Sequence, residues 1–283
     1  MDNKYEYMNN PALWCSDIAD AIREKTGETG LIDAVDFPEK IQEIEGTIDY
    51  VNDEIRELTD GAYYNMTNLK TFTTSRNIRY IGSYAFYGCS NLESFKFGDS
   101  PINTIPLCDN NGVYQTYIPM NAFSRCEKLD NIVVSEGITK LDYNCFSSCI
   151  NLKTITLPNT LTELGGCVFY NCASLVGITL PDSLVLGYQD FVWCKSLKTL
   201  IIPSANTIIP SQLCLLCQSL ESVNIPSTIT KIEHEAFCSC DNLKDIYYKG
   251  TIEQWNAITF GSSWDYNTPN YTIHCTDGDI TKS

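Results

Sequence analysis

Apolar residues recur along most of this chain in a fixed order. Ile155/Leu157, Ile178/Leu180, Leu200/Ile202, Val223/Ile225 and Ile246/Tyr248 are apolar pairs at alternate positions, mostly with polar residues between them. A period of two predicts short strands with one face buried. Pro158, Pro181, Pro203 and Pro226 follow the pairs. Proline cannot donate to a continuing ladder, so each strand is expected to stop there. Upstream of the strands runs a second regularity: Cys89, Cys126, Cys149, Cys172, Cys194, Cys217 and Cys240 are spaced by 37, 23, 23, 22, 23 and 23 residues. Each is followed three residues later by a leucine, from Leu92 to Leu243. Phe86, Phe123, Phe146, Phe169, Phe191 and Phe237 precede them by three, with Cys214 at the one remaining position, and Tyr63/Met66/Leu69 extends the register towards the N-terminus. Five residues before the Phe position stand Ile81, Ile118, Leu141, Leu164, Leu186, Ile209 and Ile232, which predict a second, returning strand. Self-similarity at this period is the mark of a solenoid, here of eight rungs, each covered only by its neighbours.

The repeated cysteines raise a chemical question. Stacked at one structural position, they would bring Cα atoms within disulfide range, but with parallel Cβ vectors that hold the Cβ atoms too far apart. Free cysteine packs as a small hydrophobe. The preferred reading is therefore a reduced core ladder, with a disulfide framework and a zinc site as the alternatives. Cys214–Cys217 and Cys238–Cys240 resemble half sites, but no histidine-bearing second half follows at a zinc-finger spacing, so no metal is expected.

The chain has 283 residues, a formal net charge of −16 and 43% hydrophobic composition. That field repels a phosphate backbone, which excludes nucleic acid as an expected partner. No run approaches 18 apolar residues, so no membrane span is expected. The start lacks the basic and apolar regions of a secretory signal, and the end lacks an apolar anchor. These features favour a virion-associated or cytoplasmic location over covalent anchoring at a cell surface.

The unit seen in "CFSSCINLKTITLP" and "AFCSCDNLKDIYY" resembles the BspA-type leucine-rich repeats of bacterial surface proteins, over about residues 58–249. The resemblance implies adhesion or ligand binding without catalysis or cofactors. The tail from "YYKGTIEQWNAITF" onward is similar to the ending of many such proteins, and reads as a C-terminal cap with a strand and a short helix around Trp255. At the other end, "IADAIREKTGETGLIDAVDFPEKI" carries two helical patterns and resembles a module of phage and prophage tail and structural proteins of gut bacteria. It is either a plain cap or an attachment module that docks to a larger particle. The expected organisation is a helical module over 1–48, a mainly β leucine-rich repeat solenoid over 49–249 and a cap over 250–283.

Catalysis finds no support in motifs. The only histidines are His234 and His274, neither beside a nucleophile motif, and no phosphate loop or HExxH sequence occurs. Recognition has two candidate surfaces. Outward strand positions Lys96, Val133, Thr156 and Thr179 belong to a nearly uncharged strip suited to docking a protein or glycan. The long 37-residue spacing implies an insert near 98–117 with Tyr114 and Tyr117 beside a polar tip, and inserts in repeat arrays emerge as loops that often carry binding. The expectation is that the insert projects beside the strip. The leading function is non-enzymatic recognition or adhesion, in a phage or prophage particle in one version; the alternatives are a purely structural scaffold and, more remotely, an enzyme built on the insert.

Overall fold

The computed structural model describes residues 49–51, 57–74, 80–97, 107–108 and 114–282. The helical module expected over 1–48 lies outside the described residues, as do 98–106 and 109–113 of the insert. The described chain winds into stacked coils and is mainly β. Its short parallel strands bond to their counterparts one repeat away; antiparallel pairs within one coil occur at the insert and at the C-terminal end. In the first ladder Ile155 faces Ile132, Phe72 faces Phe95, and Val223 faces both Leu200 and Ile246, all in parallel register. In the second, Leu141 lies between Ile118 and Leu164, and Ile232 between Ile209 and Phe260. These are the paired and returning strands that the apolar alternation predicts.

A third set of bonds runs through the turn around each Phe position. The amide of Phe146 donates to the Val168 carbonyl at 3.1 Å and that of Phe169 to Asp190 at 3.0 Å, while the intervening Ser147 amide closes onto Asn144 in its own turn at 3.0 Å. The alternation requires a left-handed residue two positions before and two after the Phe position. Asn144 and Ser148 (φ 58° and 60°) and Gln189 and Trp193 (φ 59° and 62°) show the pattern. Non-glycine residues pay for this conformation, and the bonds to the next coil hold them in it. Asparagine or glycine recurs at these positions, as in Asn65, Gly88, Asn121 and Asn171.

Inside, the aromatic rings of the repeat stack almost parallel. Tyr63–Phe86, Phe86–Phe123, Phe123–Phe146, Phe146–Phe169 and Phe169–Phe191 have centroids 5.2, 5.2, 5.4, 6.1 and 5.6 Å apart. The stack runs unbroken from Phe86 to Phe123, across the long 37-residue spacing. The ladder cysteines are free and buried, and they do more than fill space. Each Sγ–H of Cys89, Cys126, Cys149, Cys172, Cys194, Cys217 and Cys240 donates to a carbonyl one coil back, that of Tyr63, Phe86, Phe123, Phe146, Phe169, Phe191 or Cys214, at 2.9 to 3.3 Å. Cys217 and Cys240 are thus ladder positions, while Cys214 stands at the Phe position and Cys238 is a variable neighbour with its Sγ 3.7 Å from Ser239 Oγ. Burial pushes the thiols up, to about 12 at Cys89 and Cys149, so they remain protonated donors.

One expected strand is missing. Ile178 and Leu180 pack part-buried against the core, but residues 175–180 form no strand. This is the 22-residue rung between Cys172 and Cys194. Losing one residue shifts the register, and the second ladder shrinks there to a single bridge between Glu163 and Val185. Side chains replace the missing backbone partners. Asn206 stands where the other coils have Ile138, Leu161, Leu184 and Ile229, and it is buried. Its Oδ1 accepts from the Leu186 amide at 3.0 Å, and its Nδ2 donates to the carbonyls of Leu184 and Pro203 at 2.8 and 3.0 Å.

Residues 250–282 add one further coil. Helix Ile252–Asn256 starts from a capping box between Thr251 and Gln254 and buries Trp255. Thr259–Phe260 and Thr272–Cys275 continue the two ladders, and Gly278–Thr281 pairs antiparallel with the latter.

Two outcomes follow for stability and reactivity. Asn206→Leu adds apolar burial yet strands the Leu186 amide and Leu184 carbonyl, each at roughly 1–3 kcal/mol. Urea denaturation should therefore show a clear loss; unchanged or increased stability would remove Asn206 from the repair of the short rung. In native protein, the ladder thiols should resist a thiol-exchange reagent at pH 8 and react promptly in denaturant. Prompt native labelling of Cys172, read by peptide mass, would contradict its place in the core.

Candidate recognition surface

The strands of the first ladder bury alternate side chains and present the others outward. Strip positions lie side by side: Thr73 with Lys96, Val133 with Thr156, and Ile201 with Asn224 and then Tyr247. Lys96, Thr156 and Thr179 are exposed, and Val133, Ile201 and Tyr247 keep 51%, 57% and 43% of their surface in water. Thr179 falls in the rung without a strand, so the strip is interrupted there.

The insert residues sit elsewhere. Tyr114–Gln115 pairs antiparallel with Leu107–Cys108, and Tyr117 belongs to the second ladder, with Lys140 as its partner. Ile118 turns into the core and Tyr117 outward, 38% exposed. The expectation that Tyr117 joins Lys96 and Val133 is therefore corrected: the coil returns between them, and they stand on different ladders. Beside Tyr117 the second ladder is charged, with Lys140 Nζ 2.9 Å from Glu163 and 3.6 Å from Asp142.

A further surface escaped the reading of strands and insert. The turn file exposes aromatic stacks: Tyr64 on Tyr87 at 5.1 Å with Tyr84 at 5.7 Å, and Arg125 lying 5.8 Å from the Tyr87 ring centroid. Two coils on, Tyr170 and Trp193 stack at 6.3 Å with Lys195 over Trp193 at 5.7 Å. Such cation–aromatic pairs are worth about 0.5–1 kcal/mol when exposed. The sequence signal is an aromatic one or two residues after the repeat Phe, as in "AFYGC", "VFYNC" and "FVWC".

Both histidines are bound structurally. A shallow groove is lined by Ser211, Lys231, Glu233, His234, Gly261 and Ser262. Its His234 Nδ1 lies 2.8 Å from the Ser262 carbonyl and 2.9 Å from Ser262 Oγ. A carbonyl only accepts, so Nδ1 carries the proton and is not a base towards Ser262. At the end of the strip, His274 stacks on Tyr247 at 4.9 Å, with Nε2 3.0 Å from Asp245 and Nδ1 3.0 Å from Asp279. The Asp245 carboxylate first, and Asp279 with it, raise the His274 pKa. When protonated, the ring ties three adjacent strands together.

The sign of that linkage is testable. A histidine of the unfolded chain titrates near ~6.5. The contribution of His274 is full below that value and is lost as pH rises through the higher folded one. Melting curves should show His274→Gln destabilised at pH 6, with the gap to wild type closing towards pH 9. An equal gap at both would mean that the charge plays no part.

No helix among the described residues is long and apolar enough to cross a membrane. A family model described as BspA type leucine rich repeat region matches residues 32–107 and 116–244 in six copies. Among solved structures, the chain is similar to a leucine-rich repeat protein of T. pallidum at 27% identity, over 53% of this chain and 69% of that one, with a TM-score of 0.48. A leucine-rich repeat protein of Bacteroides ovatus is 21% identical over 80% and 67%, with a TM-score of 0.47. The pneumococcal vaccine antigen PcpA is 17% identical over 78% and 60%, with a TM-score of 0.50, a likeness of fold alone. No curated protein matches the chain at a significant level.

Proposed function

The chain belongs to the BspA-type leucine-rich repeat family, and we propose that it is a non-enzymatic recognition or adhesion protein that binds a protein or glycan through the outer face of its first ladder. The observation that carries this reading is chemical. In a chain of net charge −16, the strip Thr73, Lys96, Val133, Thr156, Thr179, Ile201, Asn224 and Tyr247 holds one charged residue. Exposed Val133, Ile201 and Tyr247 supply apolar contact area on it, and interface cores are depleted in charge and enriched in tyrosine. Tyr117 stands on the second ladder, and Tyr114 lies in the strand pair just before it. In the same reading residues 1–48 attach the protein to a larger particle of phage or prophage type, which their sequence resemblance alone supports, and 250–283 closes the array.

The test is a glycan and protein array probed with the purified chain, followed by titration of the strongest partner against two double variants. Val133→Lys with Ile201→Lys places two charges where a partner would desolvate them. That pair should weaken binding at least ~tenfold while melting stays near wild type, as for most surface substitutions. Tyr114→Ala with Tyr117→Ala reports on the insert independently. Full affinity in the lysine pair would retire the strip as the recognition surface, and no partner on any array would favour a purely structural role.

A further inference from the structure

Besides Asn206 of the following coil, which bonds back to it, the short rung carries an anomaly of its own. At the position just before the repeat Phe, the other coils carry Ala85, Ala122, Cys145, Val168 and Ala236, with Leu213 before Cys214. This coil alone carries an acid, Asp190, and its side chain is fully buried. Its Oδ1 accepts from the Val168 amide at 3.2 Å and its Oδ2 from the Gly187 amide at 2.7 Å. Those amides belong to consecutive coils, so one carboxyl group bridges the place where both ladders are interrupted. The backbones are too close for slack: a Cβ on Gly187 would sit 2.4 Å from the Gly166 nitrogen.

No ion pair among the described residues includes Asp190. The titratable groups facing it are thiols: Cys145 and Cys167 from the preceding coils, Cys194 from its own and Cys214 from the next. Burial raises all four, so each is neutral and none compensates a charge on Asp190. The two amide bonds favour the carboxylate and burial disfavours it. Burial outweighs them and pushes the carboxyl up to about 7.

We propose that Asp190 is a proton-operated gate in the solenoid, which keeps the two halves of the array joined at the short rung while neutral and lets that rung open when ionised. In an opened rung the carboxyl meets water and titrates near ~3.9. Between that value and about 7 the closed form binds the extra proton, so local stability is full at acid pH and falls as pH rises through the folded value. Opening would separate the strip on the Thr156 side from the strip on the Ile201 side, while the coils beyond remain packed.

Amide hydrogen exchange on the full chain, followed by mass spectrometry from pH 5 to pH 8 with times corrected for intrinsic rates, tests this directly. Peptides covering 165–192 should lose on the order of tenfold or more of their protection across that range, relative to peptides covering 220–248, since each unit of pKa difference is a factor of ten. Asp190→Asn, and Asp190→Ala with the residue of three other coils, should flatten the difference. Equal pH dependence of the two regions in the wild type would overturn the proposal, even if neither variant folds. Persistence of the difference in both folded variants would overturn it as well.

Discussion

The structure depends on one constraint: apart from local turns, a coil cannot satisfy its own backbone. Its amides and carbonyls find partners in the coils on either side, through two strand ladders and the turn file. A buried unpaired backbone group costs about as much as a lost hydrogen bond. Every coil must therefore follow nearly the same path as its neighbours, and the repetition of residues follows from the repetition of path. Rings at the Phe position stack because the turns that carry them are superposed. The ladder cysteine fits the same logic, since its side chain is small enough for the core and still donates to a carbonyl of the coil before it.

The same constraint explains why a long insertion and a one-residue deletion have opposite consequences. The lengthened rung between Cys89 and Cys126 retains the Phe86–Phe123 stack, the bond from the Phe86 amide to the Ala122 carbonyl and the Cys126 thiol bond. Extra residues that leave and rejoin the path cost mainly loop entropy, which grows slowly with length. A missing residue has no such exit. It shortens the path itself, and the short rung forfeits a strand and most of a ladder step. Two buried polar side chains, Asn206 and Asp190, stand in for the lost backbone partners. One of them brings an ionisable group into the core.

Much of this was legible in the sequence because packing repeats itself. Alternating apolar pairs give most of the strands, the Phe–Cys–Leu triplet gives the core, and the 37-residue spacing locates the insert, while the single 22-residue spacing does not announce the lost strand at 175–180. What escaped is local geometry. The left-handed positions flanking Phe146 or Phe191 leave only a weak trace, since Asn, Ser, Gln and even Trp193 occupy them. Hydropathy also cannot reveal that a core thiol donates a hydrogen bond, or that Asp190 replaces an alanine-like residue rather than lying on a solvated turn. Strip residues such as Val133 and Ile201 face outward as the alternation predicts, and Tyr117 faces outward too, but from the second ladder. The period of two says that Tyr117 faces out; only the path of the coil says out of which ladder.

Once the inward rows are committed to packing, the outward rows are what remains free to differ, and they differ by face. The first ladder shows mainly hydroxyl, amide and aliphatic groups, with Lys96 towards one end and the ion pairs of His274 at the other. The second carries ion pairs such as Lys140–Glu163 and Lys231–Glu233, and the turn file carries stacked aromatics with cations over them. Exposed ion pairs in water contribute little to stability, so the alignment of Lys140–Glu163 and Lys231–Glu233 along the second ladder reflects the register of the coils more than a need of the fold. A single backbone rule thus produces a molecule with chemically distinct sides. The uncharged side is the one where a partner would pay the least to displace water, and the short rung crosses it between Thr156 and Ile201.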